Sequence, residues 1–326
     1  MIRRRTFVSG LALALLAAPL AGEAQQPAMP VVGFLNSASP DGYASMAHAF
    51  REGLKEAGYV DGRNVAIEYR WAENRYERLP ALAADLVNRR VTAIFANGPS
   101  VATAKAATST IPIVFMHGDD PVQLGLVASF NRPGGNITGV TILSGQLAAK
   151  RLDLLHQLVP RARDIAVLIE PAWPTSARFK ADVEAAAPSI GLPVRFLLAN
   201  SEREIESAFE YLSRTRADAL LVGPGAFLDS RRDLLVARAA KMAIPAAYET
   251  RATAVAGGLV SYGASVGEGY RQAGIYIGRV LKGERPANLP VLQATKIELV
   301  INLKTAKALG LTIPQSLLVG ADQVIE

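Results

Sequence analysis

One stretch constrains the fold more than any other: Val91 to Asp120, VTAIFANGPSVATAKAATSTIPIVFMHGDD. Its uncharged runs, Val91 to Ala96 and Ile111 to Met116, are rich in β-branched and aromatic residues. Such runs predict strands buried on both faces, and the small-residue segment between them predicts a helix, which makes a parallel βαβ unit. In open α/β sheets ligands bind in the crevice outside the carboxyl ends of the strands. Asn97-Gly98-Pro99-Ser100 and His117-Gly118-Asp119 therefore belong side by side on one rim.

The pattern returns later in the chain. Asp218 to Gly223 is a strand, Pro224-Gly225-Ala226-Phe227 its turn, and Ile244 to Tyr248 a second strand ending in Glu249. The flanking elements match too. Val31 to Leu35 pairs with Ile165 to Ile169, and the polar turn Asn36 to Asp41, with Ser37, pairs with Glu170-Pro171-Ala172-Trp173-Pro174-Thr175. Val65 to Tyr69, ending at Trp71, pairs with Val194 to Leu198, and Ile137 to Ile142 with Gly258 to Tyr262. Five matches in one order indicate a structural duplication, two α/β lobes whose rims face a single cleft. The 326 residues, half of them hydrophobic, suffice for two such domains. Further expected elements are a helix over Tyr76 to Arg89, a short helix after Asp120-Pro121, a helix over Val266 to Leu281, a strand over Lys296 to Asn302, and a helix over Lys304 to Leu309. A tail follows them.

Composition narrows the chemistry. The chain has no cysteine, which excludes disulfides, thiol nucleophiles, Cys-ligated zinc and a lipid-modified N-terminal Cys. The formal charge is +6, but the basic residues are scattered along helices, the pattern of a solvated surface rather than of a nucleic-acid partner. At the N-terminus, Arg3-Arg4-Arg5 precedes an apolar run, Leu11 to Ala21, too short to span a bilayer, and then Gly22-Glu23-Ala24. These are the parts of a cleavable export signal, residues 1–24, with cleavage expected after Ala24. Arg4-Arg5-Thr6-Phe7-Val8 also resembles a twin-arginine signal.

No catalytic set stands out. The histidines are His48, His117 and His156, and only His117 ends a strand on the rim, where a polar lining role is expected. Gly98-Pro99-Ser100 lacks the second glycine of a nucleophile elbow. Pro133-Gly134-Gly135 precedes a strand and matches no nucleotide-binding spacing. Asp120, before Pro121, is expected to cap a turn, which leaves Asp119 to meet a ligand ammonium group. Trp71, Trp173, Phe227, Tyr248 and Tyr262 each fall at or just after a strand end and predict an aromatic-lined cleft.

The segments VVGFLNSASP, FREGLKEAGYVDGRNVAIEYRWAENRYERLPALAADLV, STIPIVFMHGDDPVQLGLVASFNRPGGNITGV, SRRDLLVARAAKMAIPAAYE, GGLVSYGASVGEGYRQAGIYIGRVLKGERPANLPV and KIELVINLKTAKALGL resemble the tryptophan/tyrosine-binding-like family of ABC-importer solute-binding proteins. The resemblance implies a type I periplasmic-binding fold, α/β, with two Rossmann-like lobes of parallel sheet joined by a three-crossing hinge. It puts residues 30–141 plus 264–289 in the N-terminal lobe and 142–263 plus 290–326 in the C-terminal lobe. The crossings are expected near Thr141-Ile142, Tyr262-Gly263 and Leu289-Pro290, with the last long helix returning to the first lobe. It implies a monomeric periplasmic receptor without catalysis or cofactor, which closes on a small molecule and docks on an inner-membrane ABC permease. For an amino-acid ligand, Ser37, Ser100 or Thr175 with helix-start N–H groups would hold the carboxylate. Asp119, Glu170 or Glu249 would hold the ammonium. The rim backbone at Asn97, Gly98, Gly118 and Gly223 would complete the site, with His117 beside it. Two other classes stay open: a sensor subunit signalling to a membrane histidine kinase, and a secreted hydrolase.

Overall fold

The computed structural model describes residues 29–142, 147–293 and 296–326; the export signal expected at residues 1–24 lies outside them. Two sheets organise the chain. In the first, β1 (Val31–Asn36), β2 (Ala66–Trp71), β3 (Ala93–Asn97), β4 (Ile113–His117) and β5 (Ile137–Thr141) run parallel. In the second, β6 (Ile165–Ile169), β7 (Val194–Leu198), β8 (Ala219–Val222), β9 (Ala246–Tyr248) and β10 (Val260–Ala264) do the same. β11 (Leu292–Gln293) completes the first sheet in the order β11-β5-β4-β3-β1-β2. β12 (Ile297–Asn302) and β13 (Gln323–Ile325) complete the second in the order β13-β12-β10-β9-β8-β6-β7. Among the described pairings, β10 with β12 is the antiparallel one.

Burial explains the composition of these strands. Every residue of β3, β4, β5, β6 and β8 is buried, because each lies between two neighbours with helices on both faces. The edge strands β2 and β7 are only half-buried and carry Glu68, Arg70 and Arg195 among their apolar residues.

Helices α1 (Pro40–Glu56), α2 (Leu79–Asn88) and α3 (Ser100–Ala107) cover the first sheet. In the second lobe, α4 (Ala148–Leu158) and α5 (Ser176–Ile190) pack on one face and α6 (Glu202–Thr215) on the other. Short α7 (Ala226–Ser230), α8 (Arg232–Lys241) and α9 (Arg251–Val255) follow. The long helix α10 (Val266–Leu281) crosses back to the first lobe. There Tyr270, Ala273 and Ile277, all fully buried, join Phe34, Phe50 and Phe95, Ile277 and each Phe side chain contributing about 1.5–3 kcal/mol. Phe34 centres this cluster, with ring centroids 5.2 Å from Phe50 and 4.8 Å from Phe95. α10 approaches α1 at backbone distance: a Cβ on Gly274 would lie 2.2 Å from the Phe50 carbonyl oxygen.

The chain passes between lobes after β5, between β10 and α10, and between β11 and β12. The third passage lies later than the expected Leu289-Pro290. Residues 286–293 stay on the first lobe, where Thr138 Oγ1 donates to Leu289 O at 2.6 Å, Tyr276 OH donates to Pro290 O at 2.9 Å, and Val291 N donates to Phe130 O at 2.7 Å. Three local expectations also change. The helix expected from Tyr76 opens as a 3₁₀ turn, Tyr76–Arg78. Residues 121–126 form turns rather than a helix, fixed by Asp120 Oδ1 accepting from Val122 N and Gln123 N. The helix expected over Lys304 to Leu309 forms as α11 (Leu303–Ala308), and the tail beyond it forms α12 (Gln315–Val319) and β13.

Candidate functional site

Between the lobes, a cavity lies beyond the carboxyl ends of β3, β4 and β5 on one side and of β6, β8 and β9 on the other. The first lobe contributes Tyr43, Asn97, Gly98, Met116, Gly118, Asp119 and Ile142; the second contributes Trp173, Thr175, Pro224, Gly225, Ala226, Asp229, Glu249 and Thr250. Val266, at the start of α10, closes the lining.

The two first-lobe turns are held by their own polar groups. The Ser100 hydroxyl accepts from Asn97 N at 3.0 Å and lies 3.1 Å from Leu35 O and 2.5 Å from Asn97 O, to one of which it donates. Asn97 Oδ1 accepts from Ser37 N at 3.2 Å. Gly98 bends the chain at φ +47°, and a Cβ there would lie 2.8 Å from Trp173 Cη2 of the opposite lobe. In the next turn His117 Nδ1 accepts from Asp119 N at 3.0 Å, so its ring proton sits on Nε2. Burial depresses His117 to about 4 and keeps it neutral. Thr141 Oγ1 donates to the Asp119 carbonyl at 2.9 Å. So fixed, the Asp119 carboxylate reaches across the cleft to accept from Thr175 Oγ1 at 3.0 Å. Burial raises its pKa, and the Thr175 bond offsets part of that rise.

On the second lobe, Thr250 Oγ1 donates to Asp229 Oδ1 at 2.8 Å. The Arg232 guanidinium lies 4.0 Å from the same carboxylate. Burial raises Asp229, with the Thr250 bond acting against it. Arg151, fully buried in α4, places its guanidinium 3.6 Å from Glu249 Oε2 and 5.7 Å from the Phe179 ring centroid. Burial lowers the Arg151 pKa and the Glu249 charge opposes that fall. The lining thus holds three carboxylates, Asp119, Asp229 and Glu249, and no Lys, Arg or His among the described residues. The cleft is closed. Besides Asp119–Thr175, Tyr76 OH donates to Glu170 Oε1 at 2.5 Å and Asn74 Nδ2 to Ser230 Oγ at 3.2 Å. Arg178 meets Gln123, and Arg232 donates to Gly42 O at 3.4 Å.

The sequence profile of a family described as ABC transporter substrate binding protein matches residues 32–325. The chain belongs to this family. This substrate-binding protein is 30% identical over 273 residues to a tyrosine-binding protein of Clostridioides difficile, covering 80% of the present chain and 75% of the relative. Its fold is similar to that of an ABC domain from Streptococcus pneumonia solved in complex with L-Trp, with TM-score 0.81 and 28% identity over 91% of this chain and 99% of that one. A conserved domain protein of Vibrio cholerae shares the fold with TM-score 0.83 at 24% identity, over 91% and 99% of the two chains. The substrate-binding protein is therefore a two-lobed α/β receptor of the type that binds small molecules.

Of the residues selected from sequence, Asn97, Gly98, Gly118, Asp119, Trp173, Thr175 and Glu249 line the cavity. The others do not. Trp71 ends the edge strand β2 and packs on Phe34 and Tyr69, far along the sheet from the central strand ends. Ser37, Ser100 and His117 lie buried beneath the turns they support. Glu170 turns away from the cavity to Tyr76 and the N–H groups of Phe227 and Leu228. Gly223 is packed on the Phe179 ring, and Phe227 and Tyr248 point into the second-lobe core. Tyr262 is mid-strand in β10, its ring packed on that lobe's other apolar cluster. The sequence reading missed Tyr43, Met116, Ile142, Pro224, Gly225, Ala226, Asp229, Thr250 and Val266. Thr250 was signalled by its place directly after Glu249, and Met116 by its place directly before His117. Tyr43 was not. It is aimed by a kink, φ −118° and ψ 16°, within the first turn of α1.

Proposed function

We propose that this protein is the periplasmic receptor of an ABC importer, and that it captures an amino acid with an apolar or aromatic side chain and delivers it to an inner-membrane permease. The observation that carries this reading is the charge of the closed cavity. Three carboxylates line it, Glu249 backed by Arg151 and Asp229 by Arg232 from outside the lining, and no Lys, Arg or His lines it among the described residues, so it favours a protonated amine over a simple anion. Asp119 and Glu249, one from each lobe, are the ammonium partners, joined by Asp229. Asn97 has its Oδ1 committed to Ser37 N, which leaves its amide N–H groups to donate to the ligand carboxylate. Tyr43, Trp173, Met116 and Ile142 enclose the side chain. The tyrosine-binding relative and the L-Trp complex support an aromatic amino acid. The receptor acts as a monomer, binds without chemical conversion, and reaches the periplasm through cleavage after Ala24.

The test is a thermal-shift screen of the refolded protein from Gln25 onward against amino acids and other small metabolites, refolding having removed any co-purified ligand. A ligand at a hundred times its dissociation constant adds about 2.7 kcal/mol, a shift of a few degrees. A saturable shift with tryptophan, tyrosine or phenylalanine supports the reading. A shift only with anionic metabolites overturns it.

A further inference from the structure

We propose that Tyr76 and Glu170 form a clasp that holds the two lobes closed around the ligand without touching it. The inference rests on the reading of a cleft that closes on its solute, and it gives Glu170 a role other than the ammonium partner expected from sequence. Glu170 follows β6 and is 1% exposed. Its two oxygens have separate partners. Oε2 accepts from Phe227 N at 3.0 Å and Leu228 N at 3.3 Å, within its own lobe, and so fixes α7, from which Ala226 and Asp229 face the cavity. Oε1 accepts from Tyr76 OH at 2.5 Å, across the cleft. Neither Tyr76 nor Glu170 lines the cavity. One carboxylate therefore positions a wall of the site and, by a separate atom, fastens that wall to the opposite lobe. Opening replaces the Tyr76 bond with water and leaves the α7 bonds in place.

The clasp survives protonation, because a neutral Glu170 donates from Oε1 to the Tyr76 oxygen while Oε2 still accepts from α7. What faces Glu170 is the Tyr76 phenol from the first lobe and the backbone of residues 225–228 from its own. No charged side chain among the described residues pairs with it. Burial in the closed form pushes its carboxyl up to about 7 from the ordinary 4.5. In the open form, with Oε1 in water, it falls back toward the ordinary value. Closure then takes up a proton. The added stability of the closed form is fully present below the open-form pKa and is lost as pH rises through about 7.

The experiment uses the full mature chain, L-tryptophan as probe, and the variants Tyr76→Phe and Glu170→Gln. Tyr76→Phe should release L-tryptophan about tenfold faster with little change in association rate. It should keep the parent's order of preference among tryptophan, tyrosine and phenylalanine. Glu170→Gln, which can donate to Tyr76 and still accept from α7, should keep tight binding. It should lose the decline in affinity expected of the parent between pH 5 and pH 8. An unchanged release rate in Tyr76→Phe, or a parental pH profile in Glu170→Gln, overturns the clasp. If none of the three amino acids binds the parent, the ligand reading fails alone, and closure is read without ligand. The chain has no cysteine, so fluorophores on Lys55→Cys and Arg203→Cys report the interlobe distance. Tyr76→Phe should then lower the closed fraction, and equal fractions overturn the clasp.

Discussion

Replacing Gly98 with alanine separates two costs that most cleft substitutions mix. The first is conformational. Gly98 sits at φ +47°, a region that costs an L-residue about 1–2 kcal/mol. The turn belongs wholly to the first lobe, so this cost is the same with the cleft open or closed. It appears as lower stability of the unliganded protein. The second cost is steric and exists only in the closed form. There the new Cβ would lie 2.8 Å from Trp173 Cη2 and 3.4 Å from Cζ3, and Trp173 belongs to the other lobe. Overpacking of this kind typically costs about 1–3 kcal/mol. Ligand affinity should therefore fall by about fivefold to a hundredfold, beyond any change in unfolding. Calorimetric titration with L-tryptophan measures the second cost, and urea unfolding of the unliganded variant measures the first. Measured in a Trp173→Leu background, where the opposing ring is gone, the affinity cost of Gly98→Ala should shrink while its stability cost stays. A Gly98→Ala protein that loses stability but keeps full affinity would refute the argument, because Trp173 would then not seat on residue 98 in the liganded state.

Asp119→Asn removes one ammonium partner while keeping an acceptor for Thr175. It should weaken amino-acid binding by about tenfold to a hundredfold in the same titration, and unchanged affinity would remove Asp119 from the site. Arg151→Met leaves Glu249 without its fully buried partner, and breaking such a pair costs about 3–5 kcal/mol. The urea midpoint should drop with an unchanged slope, and a shift below about 0.5 kcal/mol would contradict this account. The chain expressed with its own leader should be recovered from the periplasm with Gln25 as its first residue. An N-terminus still at Met1 in that fraction would refute cleavage after Ala24.

The architecture was legible because it depends on local pattern. Buried runs such as IAVLI at β6 and IVFMH at β4 lie between two neighbours, so no polar face interrupts them. The end of β6 was legible as a cleft rim for the same reason, and it delivered Trp173 and Thr175. Sequence position alone did not distinguish a rim residue facing the cavity from one facing the core. Tyr248 and Glu249 are adjacent, yet one ring enters the apolar cluster and the other side chain lines the cavity. Strand side chains alternate in direction, and a shift of one residue at the strand end reverses the outcome. Trp71 failed for a different reason: β2 is an edge strand, and strand order depends on which strands pair, not on their sequence order.

The sequence by itself determined the duplicated α/β lobes and the rim turns, since each rests on runs and spacings within short segments, and the family through a resemblance that runs over nearly the whole chain. Only the tertiary structure decided which partners cross the cleft. Thr175 with Asp119 and Tyr76 with Glu170 lie 56 and 94 residues apart. Such pairs form where the two lobes meet, and no periodicity within either lobe encodes that meeting. The buried Arg151 beside Glu249 belongs with them. A charge in a helical pattern predicts a solvated face until the fold places another charge against it.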